Sequence, residues 1–130
     1  MVESFRVPIE DPQPSQLFLS GHKLHRISEW FDFDRPMHDP LPVLSLDDGV
    51  TLIDGHTRAY LAHLAGADEL LVADVTDENH PLELYADCVA WCKRKNLTTI
   101  ADFTGRVVSH ETYERRWVDR CHRVANVLSE

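Results

Sequence analysis

The sequence predicts an α+β fold: a small, partly antiparallel sheet with helices packed on it, then a helical extension from about Asn79. Three observations predict it. Two β-prone runs, 42–46 and 50–53, flank Asp47-Asp48-Gly49, and Asp-Gly between apolar runs is a strong hairpin signal. The second run breaks at Asp54-Gly55 and passes at once into a helix pattern, 57–65, stopped by Gly66 and followed by another strand run at 69–75. Beyond Asn79 the apolar residues recur at helical spacing rather than in alternation.

Taken in order, residues 5–9 alternate enough for a first strand, and Pro8, which has no N–H to give a ladder, confines it to an edge or an end. Residues 10–15 are turn-rich and 16–19 form a short apolar step. Leu24, Ile27, Trp30 and Phe31 then mark one face of a helix over about 22–31. Pro36, Pro40 and Pro42 make 32–42 a loop. After the hairpin, the central helix and the 69–75 strand, Pro81 suits the first position of a helix whose buried stripe is Leu82, Tyr85, Val89 and Cys92. Residues 98–103 read as a capped turn and 106–108 as a connection. Ser109 caps a last helix striped by Tyr113, Trp117, Cys121, Val124 and Leu128. The division is a core at 1–78 and a helical extension at 79–130 packed on it, one domain overall.

With 130 residues the chain can bury one core without staples. No apolar run is long enough to span a bilayer, and Met1-Val2-Glu3-Ser4 lacks a basic leader, so the expectation is a soluble cytoplasmic protein without membrane contact. Three cysteines, Cys88, Cys92 and Cys121, argue against a disulfide framework. Cys88 and Cys92 share a helix face and read as buried; a zinc site with Cys121 and His122 matches no ligand spacing. His22-x-x-His25 lacks further ligands, so no metal site is assigned. The net charge of −9 disfavours duplex DNA, whose affinity comes from phosphate neutralisation. It is uneven: residues 1–92 carry five basic against seventeen acidic side chains, whereas 93–130 carry eight against five. The expectation is that the basic tail docks on the acidic body, with Lys93-Arg94-Lys95, Arg115-Arg116 and Arg120 as the sharper alternative of a polyanion patch.

The stretch with the most chemistry is Ile53-Asp54-Gly55-His56-Thr57-Arg58. A strand, a tight turn and a helix start in succession leave N–H groups without partners, at an end carrying about half a positive charge. Gly55 permits close approach, the Thr57 hydroxyl can donate, and the Arg58 fork matches phosphate. Asp54 reads as an organiser of the loop, or an aid to His56, because its own charge repels phosphate.

These residues resemble the D-G-H-x-R form of the G-x-x-R motif of the ParB/sulfiredoxin-like superfamily, which includes the free-serine kinases; the resemblance runs from about Phe5 to Thr76. It implies a ParB/sulfiredoxin-like sheet. It also implies that Gly55, His56, Thr57 and Arg58 hold the phosphates of a nucleoside di- or triphosphate with Mg²⁺, walled by 13–19. Phosphotransfer or nucleotide hydrolysis would be the accompanying chemistry. The catalytic positions differ, however. His56 stands where sulfiredoxins carry cysteine in G-C-H-R, and His56-Thr57 replaces the Glu-Arg of the G-E-R-R form that supports CTP binding in ParB proteins. Gln16 falls where the kinases place a glutamate base, and an amide accepts no proton at neutral pH. No catalytic residue is therefore assigned; Gln16 and Asp54 are supporting residues. Asp47, Asp48 and Asp54 are candidates to hold Mg²⁺ through water. Glu10 and Glu29 are alternative bases without supporting spacing. Trp91 and Trp117 could stack on a base but read as core. A nuclease role is weakened by the acidity, and no G-x-G-x-x-G, Walker or G-x-S-x-G motif is present. The alternative from another class is a non-catalytic protein-interaction module that keeps the fold without the chemistry.

Overall fold

The computed structural model describes residues 3–34, 39–46 and 49–129. Five strands form one mixed sheet: β1 (Ser4–Pro8), β2 (Gln13–Pro14), β4 (Leu41–Leu46), β5 (Gly49–Leu52) and β6 (Glu69–Asp74). Their order across the sheet is β1-β6-β4-β5-β2. The β4/β5 hairpin is antiparallel, with Leu46 opposite Gly49, as the Asp-Gly signal requires; Asp47 and Asp48 lie outside the described residues. β6 joins β4 in parallel and β1 antiparallel. β1 is thus an edge strand and Pro8 its last residue, both as the proline demands.

The central strands supply Leu41, Val43, Leu52, Leu70 and Val72 to the core, all completely buried. Across them lies α2 (His56–Leu64), which buries six of its nine residues and so sits inside the molecule rather than on it. It ends as its sequence implies. Gly66 has φ +84°, and the Gly66 and Ala67 N–H groups donate back to the carbonyls of His63 and Ala62.

Several elements depart from the sequence reading. Within the expected turn 10–15, β2 pairs in parallel with β5, anchored by the Gln13 amide donating to the Leu97 carbonyl at 2.9 Å. Within the expected connection 106–108, β7 (Val107–Val108) pairs with β3 (Leu19–Ser20). Two-residue strands have no period to read. The first helix, α1 (Gly21–Ser28), is capped by Ser20, whose hydroxyl accepts from the Lys23 N–H, and it stops short of Trp30. The Trp30 and Phe31 N–H groups turn back onto the Ile27 carbonyl, so Phe31 enters the core while Trp30 stays 66% exposed. The helix expected over about 22–31 therefore ends too early to carry Trp30 and Phe31 on its face.

α3 (Leu82–Arg94) starts one residue later than expected, with Pro81 as its N-cap. Its core-facing side is Leu84, Cys88, Trp91 and Cys92; Leu82 is exposed, which corrects the stripe drawn through Leu82, Tyr85 and Val89. A 3₁₀ turn (Ile100–Phe103) carries a reciprocal cap between Thr99 and Asp102. Asp102 also accepts from the Thr98 N–H, and these bonds hold its carboxyl below the usual range. Ser109 caps the final helical stretch, which runs as α4 (His110–Tyr113), a π turn (Glu114–Val118) and α5 (Asp119–Leu128). Tyr113 and Trp117 are buried; Leu128 is exposed. This stretch docks through stacked rings: Trp117 lies 5.7 Å from Trp91 at 11°. The Arg120 guanidinium covers Trp91 at 3.9 Å and pairs with Asp87 at 2.9 Å. Trp91 and Trp117 are accordingly packing residues. Lys93, Arg94, Lys95, Arg115 and Arg116 stay exposed. Among the described residues no helix is long and apolar enough to cross a membrane.

Candidate functional site

The site is built at the entry to α2. β5 ends at Leu52, and the Ile53 N–H still reaches the Pro42 carbonyl on the neighbouring strand at 3.1 Å. The chain then turns sharply. Asp54 organises the bend, its carboxylate accepting the Gly55 N–H at 2.8 Å. Gly55 takes φ +77° as the N-cap residue, a region that disfavours any residue with a Cβ. No side chain caps the helix, and its first internal bond, from Ala59 to the Gly55 carbonyl, leaves the preceding N–H groups without helical partners.

Space at Gly55 is as restrictive as its backbone. A Cβ there would lie 2.6 Å from a Leu41 methyl and 3.3 Å from Arg58 Nη2. The Arg58 guanidinium therefore folds back over the glycine, across the open helix end. None of the ion pairs among the described residues involves Arg58.

A groove of about 210 Å³ opens here. One wall is the turn itself, from Asp54 to Arg58; the other carries Gln16, Lys23, Ile27 and Tyr113. All six residues selected from the sequence, Asp54, Gly55, His56, Thr57, Arg58 and Gln16, thus border one cavity. Two more were missed. Lys23 comes from the first turn of α1 and Tyr113 from α4, with the Lys23 ammonium 4.9 Å from the Tyr113 ring centre. Neither has a local signal: the topology brings them to the motif from 35 residues before Arg58 and 55 after it. Burial raises the Tyr113 phenol pKa, so it stays protonated.

The side chains differ in what they can offer. Thr57 is 9% exposed and borders the groove. His56 is 3% exposed, and its Nε2 accepts the Ser15 N–H at 3.1 Å. Ser15 in turn donates through its hydroxyl to the Leu52 carbonyl at 2.7 Å, tying the 13–19 segment to the strand end. The imidazole packs edge-on against Phe103 at 6.0 Å, and its Nδ1 is buried without a hydrogen-bond partner. Burial lowers its pKa to about 4, against a smaller upward pull from the Asp54 carboxylate and the Leu52 carbonyl. His56 is therefore neutral near pH 7, with its Nε2 lone pair already in use. The Gln16 amide donates to the Phe18 carbonyl at 2.8 Å, leaving its oxygen as an acceptor.

Elsewhere, His25 pairs with Glu29 at 3.2 Å and His22 lies beside His110. Among the described residues no three His, Cys, Asp or Glu side chains gather as a metal set. The three cysteines are free thiols, with Cys88 and Cys92 buried. Burial pushes Cys92 up to about 12.

Fold and groove together define an α+β domain with a partly cationic cleft at a strand-to-helix turn. No protein-family model and no curated protein matches the chain. A crystal structure of protein Atu1540 from Agrobacterium tumefaciens is similar at 20% identity and a TM-score of 0.46 over 74% of this chain. The chain spans about half (49%) of the length of that structure.

Proposed function

We propose that the chain binds a phosphate-bearing small molecule at the Asp54–Arg58 turn, a nucleotide being the form that the motif resemblance implies. The observation that carries this reading is Arg58. Its guanidinium lies over Gly55 and joins none of the ion pairs among the described residues, at a helix end that no side chain caps. Lys23 adds a second cation from the opposite wall. A guanidinium, an ammonium and free amide N–H groups facing one cleft are the donor set for phosphate oxygens. Placement in the ParB/sulfiredoxin-like superfamily rests on that same turn and on the strand and helix flanking it.

The groove is smaller than the ~300–1,000 Å³ typical of small-molecule sites, so it suits the phosphate end of a ligand. Asp54 is the carboxylate on its wall, and a single carboxylate plus phosphate oxygens is a usual way to hold Mg²⁺, which would neutralise developing charge in phosphoryl transfer. With Gln16 an amide and His56 buried and engaged, Asp54 is also the groove's candidate proton acceptor. The second reading, a binding or interaction module that turns nothing over, is favoured by that shortage of bases.

Calorimetric titration with pyrophosphate, and with ATP, ADP, CTP and GTP in the presence of Mg²⁺, tests the proposal. Binding is expected to weaken about 10- to 100-fold in Arg58→Ala, the scale of a lost charge-assisted pair. No binding by any of these, together with an Arg58→Ala protein whose melting is indifferent to them, overturns it. Phosphate release that disappears in Asp54→Asn separates turnover from binding alone.

A further inference from the structure

α3 and α5 pack against each other in an antiparallel register. Trp117 stacks on Trp91 and Arg120 pairs with Asp87 at 2.9 Å, so positions rise on one helix as they fall on the other. The residue after each member of that ion pair is a cysteine. Cys88 and Cys121, 33 residues apart in sequence, thus meet across the seam with their thiols joined by a hydrogen bond.

Two cysteines touching in a core are ordinarily inert small hydrophobes. These two differ in their surroundings. Cys88 is 3% exposed and donates; its hydrogen bond to Cys121, together with burial, raises its pKa and keeps it a thiol. Cys121 is partly exposed. The hydrogen bond from Cys88 lowers its pKa, aided by the Arg120 guanidinium and opposed by burial and by Asp87. Arg120 has capacity left for an anion: Asp87 takes Nη2, while Nη1 is buried with no hydrogen-bond partner among the described residues. A partly exposed sulfur beside a cation is the setting of a reactive thiol, and a second thiol in contact with it is placed to resolve its oxidation. Cys92, one turn further along α3, is completely buried, and burial pushes its pKa up to about 12. Among the described residues no third ligand makes the pair a metal set.

We propose that Cys121 is a peroxide-reactive thiol which Cys88 resolves, closing a reversible disulfide between α3 and α5. The Cys121 thiolate attacks one oxygen of hydrogen peroxide and the O–O bond breaks. The departing hydroxide takes up the proton that Cys121 gave, leaving as water, and Cys121 becomes a sulfenic acid. The Cys88 sulfur then attacks the Cys121 sulfur; the S–O bond breaks, and the hydroxide leaves as a second water with the Cys88 proton. Two thiols thus lose two electrons to one peroxide, giving one disulfide and two waters. A small dithiol reopens the bond by exchange. The odd cysteine count fits a labile pair with Cys92 left reduced, rather than a structural framework.

Thiol counting and peptide mapping by mass spectrometry test this on the full chain, reduced and then treated with a small excess of hydrogen peroxide. The wild type is expected to fall from three free thiols to one, with a mass lower by two hydrogen atoms and the Cys88 and Cys121 peptides linked. Dithiothreitol should restore all three. The reaction at pH 7 should run about tenfold or more faster than that of free cysteine, which is only a few per cent thiolate there. Cys88→Ser should stop at a sulfenic acid on Cys121 that dimedone traps, Cys121→Ser should keep its two thiols, and Cys92→Ser should form the wild-type link at the wild-type rate. If a serine variant does not fold, the wild-type peptide map and rate decide. Three surviving thiols, a rate no greater than that of free cysteine, or a link through Cys92 or between two chains overturns the proposal.

Discussion

α2 begins and ends on a glycine with left-handed backbone, and the two ends are otherwise opposites. At Gly66 (φ +84°) nothing lies within 4 Å of where a Cβ would stand, and the returning N–H groups find carbonyls of the last turn. At Gly55 (φ +77°) a Cβ would overlap Leu41 and press on Arg58, while the helix end it introduces has no side-chain cap. One glycine completes a helix. The other holds a helix end open beneath a guanidinium. The same residue type in the same conformation thus signals a stop in one place and a site in the other. Neighbouring atoms, not the dihedral, make the difference.

The largest effect expected from this contrast is at Gly55. An alanine there incurs ~1–2 kcal/mol for left-handed backbone. Displacing the fully buried Leu41 by overpacking adds a further ~1–3 kcal/mol. Urea unfolding of Gly55→Ala should therefore show a loss of about 3–4 kcal/mol, a large share of an ordinary domain's stability. A loss below about 1 kcal/mol would mean that Leu41 yields freely and that the crowding at this turn is not structural.

Much of this frame was legible before any coordinates, and the parts that were not share a cause. Asp-Gly between apolar runs gave the hairpin, and Gly66 after a nine-residue helix gave its stop, because both signals are local and steric. Asp54, Gly55, His56, Thr57 and Arg58 were found because they are contiguous, and Gln16 through the resemblance. Lys23, Tyr113, β2 and the β3/β7 pair were not. Each acquires its role from a neighbour distant in sequence, and a two-residue strand or one helical lysine carries no period. Trp30 was misread for a related reason. Its spacing fits a helix face, but α1 ends at Ser28, before the period reaches it.

The second effect concerns the groove wall. His56 keeps a proton-free Nε2 for the Ser15 N–H, and burial holds its folded pKa near 4 against 6.5 for a free imidazole. Folding therefore favours the neutral ring. The stability it contributes is complete above pH 6.5, declines as the unfolded chain takes up a proton that the folded chain refuses, and levels off below pH 4. The expected fall over that window is about 3 kcal/mol at ~1.4 kcal/mol per unit. His56→Gln can still accept from Ser15 but does not titrate. Its urea-unfolding free energy should drop less steeply between pH 6.5 and 4 than that of the wild type. Parallel pH profiles for the two proteins would place the acid sensitivity elsewhere.

The smallest effect lies at the completed end, Gly66, and it sharpens the contrast most. α3 closes with the same arrangement as α2: the Leu97 N–H reaches back to the Cys92 carbonyl, and the left-handed position is filled by Asn96 at φ +64°. Asparagine tolerates this region because its short polar side chain can hydrogen-bond locally. Gly66, with open space around its Cα, should accept the same replacement. Gly66→Asn is expected to lower stability by only a few tenths of a kcal/mol, and Gly66→Ala by about 1 kcal/mol. Gly55→Asn should recover only the backbone part of the Gly55→Ala loss and keep the part from the collision, since the Cβ that meets Leu41 belongs to both. Chemical unfolding of these four variants separates the two contributions, because asparagine relieves backbone strain but cannot relieve a collision. Equal losses for Asn and Ala at position 66, or a tolerated Asn at position 55, would erase the distinction between the ends of α2.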